Sequence, residues 1–81
     1  MKTTWAALVV EELRRHGLEP GPDDTPAGLR ARLNEVYVAA IRALKARLLA
    51  GDFPASEYAQ RVQALKEDHP LLGVPLDRWV S

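Results

Sequence analysis

Apolar side chains recur at helical spacing in three segments of this chain, and glycine and proline separate the segments. Trp5, Leu8, Val9 and Leu13 lie three to four residues apart and make one apolar face. They predict a first helix over about residues 4–16, with Thr3 or Thr4 accepting its free N–H groups. Glu11 and Arg15 stand four apart in the favourable order. Gly17 offers the left-handed conformation that ends helices, and Leu18 stands where a Schellman cap folds it back onto Leu13.

The stretch EPGPDD, residues 19–24, cannot continue a helix, because Pro20 and Pro22 lack N–H donors. It is a short, stiff connection. Thr25-Pro26 then opens a second helix, threonine at the cap and proline at the first helical position. Asp23 and Asp24 favour that start through the helix dipole. Gly28 lies in the first turn, and the next breaker is Gly51. The predicted helix covers residues 26–50 and is about 37 Å long at 1.5 Å per residue.

At about 100° per residue, Leu29, Leu33, Val36, Tyr37, Ala40, Ile41, Leu44 and Leu48 share one arc about 140° wide. Ala39, Ala43, Ala46 and Ala50 form a second stripe. Arg42 and Lys45 mark the wet face, which Val38 and Leu49 interrupt. A helix apolar on more than one side needs more than one neighbour.

Gly51 ends this rod, and a third helix follows over about residues 54–67. Phe53 and Tyr58 have the spacing of a hydrophobic staple if Pro54 is the cap; alternatively Pro54 is the first helical residue. Tyr58, Val62 and Leu65 give the apolar stripe, with Ala55 and Ala59 beside it, and Glu57 pairs with Arg61. The helix must stop before His69-Pro70. Glu67 and Asp68 sit unfavourably at its negative end unless a basic neighbour meets them.

The remainder, residues 70–81, is an arm rich in Leu71, Leu72, Val74, Leu76, Trp79 and Val80, with one helical turn possible after Pro75. It is too apolar to be a solvated end, so it wraps over the helices or docks onto a neighbour. The expected fold is all-α, a three-helix arrangement with a long central helix and a C-terminal apolar arm, forming one domain over residues 1–81.

Ile41 to Leu65 resembles the SHOCT family of short bacterial C-terminal oligomerisation domains. The matching residues are Leu44, Leu48, Leu49, Ala50-Gly51, Phe53, Glu57-Tyr58 and Leu65. Pro54 stands where the family has a threonine cap, and the apolar arm follows where the family module ends its chain. The resemblance implies a helical hairpin that serves oligomerisation or protein contact.

Composition sharpens this picture. A single domain of 81 residues buries a modest share of its surface, so an added source of stability is expected. There are no cysteines, which excludes disulfides and thiolate zinc sites. His16 and His69 lie far apart in sequence. Oligomerisation is the addition to expect, and a well-packed helical monomer is the alternative.

Eleven basic and eleven acidic groups cancel overall, but not locally. Residues 25–50 carry five basic groups and one acidic, a balance of +4, while each flank carries three basic and five acidic, a balance of −2. Acidic flanks packed beside a basic central helix are the simplest expectation. No apolar run approaches the roughly 20 residues of a membrane span, and the start lacks a signal-peptide layout. A cytoplasmic protein is expected.

Chemistry-bearing patterns are sparse. Glu12 and His16 share a helical face, but two ligands are too few for a metal, and an ion pair or a helix-end histidine explains them. Asp68, His69 and Asp77 would cluster near the arm, without a nucleophile in a catalytic context. The glycines punctuate helix ends and turns and build no phosphate loop. The expectation is a non-enzyme with no cofactor and no metal.

The expected function is a small protein–protein interaction or assembly module, partnered by itself as a homodimer or by another protein, and not by a membrane. The interface candidates are Trp5, Ala39, Ala43, Ala46, Leu49, Phe53, Tyr58 and Trp79; the two tryptophans equally suit a role in closing the core. The alternative is a nucleic-acid-associated regulator that uses Arg30, Arg32, Arg42, Lys45 and Arg47 on phosphates.

Overall fold

Thr25 starts the longest element as its sequence demands. Its Oγ1 accepts the Gly28 N–H at 3.0 Å, and Pro26 opens the 24-residue helix α2, Pro26–Leu49. The structure is a computed structural model and describes residues 4–80. α2 is unbroken and stops in a Schellman turn: Gly51 has φ +79°, its N–H reaches the Leu48 carbonyl, and the Asp52 N–H reaches the Arg47 carbonyl, both at 3.0 Å.

The same device ends α1, Ala7–Arg15. Gly17 has φ +79°, and the Leu18 N–H donates to the Leu13 carbonyl at 2.8 Å. The start of α1 departs from expectation by about one turn. Ala6 occupies the cap position without a side-chain cap, Thr4 lies ahead of it, and Thr3 is outside the described residues. The reason is tertiary: Trp5 forms a bridge with Val80, and the Ala6 N–H donates to the Trp79 carbonyl at 3.1 Å. The returning arm holds these residues extended.

The apolar face of α1 is also corrected. Val9 and Leu13 are buried, whereas Leu8 is 76% exposed. Arg15 pairs with Glu12 at 2.9 Å rather than with Glu11.

After Gly51 the chain turns at Pro54, extended at the cap position, through a 3-10 turn at Ala55–Glu57 into α3, Tyr58–Asp68. Glu57 and Arg61 pair at 3.4 Å. The ring of Phe53, expected to staple onto Tyr58, is buried under the Arg61 guanidinium, 4.2 Å from the ring centroid. α3 stops at Asp68, and two further 3-10 turns follow, Pro70–Gly73 and Leu76–Arg78.

The arm packs onto its own chain. Trp79 is 0% exposed and its indole N–H donates to the Val74 carbonyl at 3.2 Å. Val9, Leu13, Leu18, Leu29, Leu33, Leu71 and Trp79 form the core, with Trp5, Ala6, Leu72, Val74 and Leu76 packed against it. This core sits around the first half of α2. The second half of α2 projects away with α3 beside it, where Leu44 and Phe53 are the buried apolar groups. The molecule is accordingly elongated, 50 × 17 × 16 Å. The fold is all-α with a long central helix; among the described residues there is no strand, and no helix is long and apolar enough to cross a membrane.

Candidate functional site

The projecting half of α2 has one covered face and one open face. Val36, Tyr37, Ala40, Ile41 and Leu48 are half-buried and Leu44 is buried, as the apolar arc predicts. On the other side Ala39, Ala43, Ala46 and Ala50 are exposed, and Leu49 beside them is 79% exposed. Helical geometry keeps the four alanines within about 60° of arc at 100° per residue. Between α2 and α3 runs a groove of about 530 Å³, lined by Ala40, Ala43, Leu44, Ala64 and Leu65 together with the charged Arg47, Arg61 and Asp68.

The interface candidates therefore divide. Ala39, Ala43 and Ala46 stand together on the open face, Ala43 at the lip of the groove, and Leu49 lies about 60° further round, beyond Arg42. Trp79 and Phe53 are buried in their own chain and offer no surface to a partner, a correction that follows from the arm wrapping in cis and from the arginine cover on Phe53. Trp5 and Tyr58 are half-buried, Trp5 against the core at the other end of the molecule.

The basic residues of α2 do not act as one patch. Arg30 donates to the Leu72 carbonyl at 3.0 Å, and Arg47 lies 3.6 Å from Asp52. Arg32, Arg42 and Lys45 are exposed, and no ion pair among the described residues includes them. The expected packing of acidic flanks against the basic helix is limited to Arg47–Asp52. Elsewhere the flanks satisfy themselves, through Arg14–Glu19, Arg15–Glu12, Arg15–Asp68 and Arg61–Glu57.

A second assembly of side chains forms where the end of α1 meets the end of α3. The His16 and His69 rings stack with centroids 4.2 Å apart, and the edge of Tyr37 lies 5.3 Å from His69. His16 Nε2 is 2.8 Å from the Asp68 carbonyl, and His69 Nδ1 is 2.8 Å from the Leu65 carbonyl. A carbonyl only accepts, so each of these nitrogens carries a proton, and in the neutral ring the other nitrogen keeps a lone pair. His69 is 5% exposed, and its Nε2 is buried without a hydrogen-bond partner.

Arg15 completes the group. It donates to Asp68 Oδ1 and to the Asp68 carbonyl, both at 2.6 Å, while holding Glu12 at 2.9 Å. This hydrogen bond keeps the Asp68 carboxyl below its ordinary range. Arg15 is the basic neighbour that the acidic end of α3 requires, and it spans the gap between the two helices. Asp77, expected near Asp68 and His69, is not in the cluster; His16 takes that place.

Nothing in the local sequence brings His16 and His69 together. Their separation along the chain carries no signal, and only the return of α3 past the end of α1 joins them. Comparisons with protein families, with curated proteins and with solved structures find no match to this chain.

Proposed function

We propose that this chain is a small non-catalytic assembly module of the cytoplasm that pairs with a second copy of itself through the open face of α2. The observation that carries this reading is the row Ala39, Ala43, Ala46 and Ala50 with Leu49, exposed on a half-helix that its own chain covers on one side. Small side chains let a second helix approach closely, within the 8–10 Å typical of packed helices. A patch of this kind is also self-complementary, as a twofold dimer requires. The likeness of residues 41–65 to SHOCT oligomerisation hairpins points the same way.

Sedimentation equilibrium on the intact chain tests it. The wild type is expected to be dimeric at micromolar concentration, and Ala43→Glu and Leu49→Glu monomeric with unchanged helical circular dichroism. A wild type that stays monomeric to high micromolar concentration overturns the proposal, as do folded glutamate variants that dimerise like the wild type.

A further inference from the structure

We propose that His16, Asp68 and His69 form a binding site for a divalent transition-metal cation, a fastening between the end of α1 and the end of α3. One nitrogen of each histidine and a carboxylate oxygen of Asp68 lie within 4.8 Å of one another. Tetrahedral coordination with bonds of about 2.0–2.1 Å spaces ligand atoms about 3.3 Å apart. Coordination requires the His16 ring to turn out of its stack on His69, because the lone pairs of two near-parallel rings do not converge on one point. His16 is half-buried at a helix end and Asp68 is exposed, so both have room to move.

Three features mark the cluster as a built site. The first is His69 Nε2, a lone pair buried without a partner, which nothing in the fold satisfies. A bound cation would satisfy it. Second, the opposite nitrogen of His69 donates to the Leu65 carbonyl, and His16 donates to the Asp68 carbonyl. Metal-ligating histidines commonly carry such a second hydrogen bond, which fixes the tautomer and the ring. Third, the ligands come from the ends of two helices, His16 at the C-cap of α1, Asp68 as the last residue of α3 and His69 at its C-cap, so the cation would join the two ends.

Two imidazoles and one carboxylate favour zinc, nickel or copper over magnesium or calcium, which prefer oxygen donors. Three protein ligands leave a fourth position to water. Arg15 opposes binding, because its guanidinium occupies Asp68 Oδ1. Asp68 Oδ2 takes part in no hydrogen bond with the described residues, so a cation can take that oxygen without displacing Arg15 from Oδ1.

The test is titration of zinc chloride onto the tag-free chain by calorimetry, with circular dichroism to verify folding. One zinc per chain is expected, with a rise in thermal midpoint by mass action. Magnesium at the same concentration should give neither. His16→Gln and His69→Gln should each weaken zinc binding about tenfold or more, by the scale of lost metal-site contacts. Arg15→Gln should tighten it several-fold, and the gain should vanish when His16→Gln is added, which adventitious binding to the freed carboxylates of Glu12 and Asp68 would not show. If His69→Gln fails to fold, the half-buried His16→Gln decides the matter alone. The proposal is overturned if folded wild type binds no zinc at millimolar concentration, or if folded His16→Gln binds it as tightly as wild type. Dimerisation is measured on chelator-treated protein, so the two proposals fail independently.

Discussion

Replacing Thr25 by alanine removes the Oγ1 that accepts the Gly28 N–H at 3.0 Å. Loss of such a cap costs about 1 kcal/mol, read as a lower urea midpoint at constant slope. Gly51 is a second single-residue control. Its φ is +79°, and an added Cβ would meet nothing within 4 Å, so Gly51→Ala costs only the left-handed conformation, about 1–2 kcal/mol. The acidic groups report on pH. Glu19 is held below its ordinary range mainly by the hydrogen bond from Arg14, with their opposite charges acting in the same sense. A carboxyl lowered in the folded state stabilises above its unfolded value, about 4.3, and that contribution is lost as pH falls through the folded value. Glu19→Gln should therefore lower the thermal midpoint slightly at neutral pH in low salt and leave it unchanged near pH 2. Both partners are exposed, so added salt should erase the difference.

At the scale of elements, α2 is continuous but its two halves are held differently. The first half lies in the core with Leu29 and Leu33 fully buried, and the second is held by α3 through Leu44 and Phe53. Few buried contacts mean easier local opening. Hydrogen exchange should therefore be faster for α3 and residues 40–49 than for the amides around Leu13, Leu29 and Leu33. Phe53→Ala should widen that gap. It removes the ring that packs under Arg61 and Arg47, a loss of about 3–5 kcal/mol concentrated in the hairpin. Equal protection along α2 in the variant would show that the hairpin and the core open as one unit.

For the whole molecule, the arm decides whether there is a core at all. Trp79 is fully buried, its carbonyl holds the Ala6 N–H, and Val80 pairs with Trp5. Trp79→Ala should cost about 3–5 kcal/mol, out of the 5–15 kcal/mol that folded domains typically have. Thermal melts followed by circular dichroism should show a large drop in midpoint or no cooperative transition. A truncation after His69 should abolish the transition, since it uncovers Leu13, Leu18 and Leu29 together.

The amino-acid sequence by itself determined the three helices, the ends of α2, the glycine stops and the buried arc of α2. These depend on bonds that close within one or two turns, such as Thr25 to Gly28 or Leu18 to Leu13, and on a helical period that any window of the chain displays. Tertiary structure alone decided that the arm folds back in cis, which delays the start of α1 and removes Trp79 from any interface. It also decided that Arg15 turns to Asp68 and that His16 stacks on His69. Those meetings join residues from opposite ends of the chain. No local preference encodes them; they follow from where the packing of Leu71 and Trp79 carries the backbone.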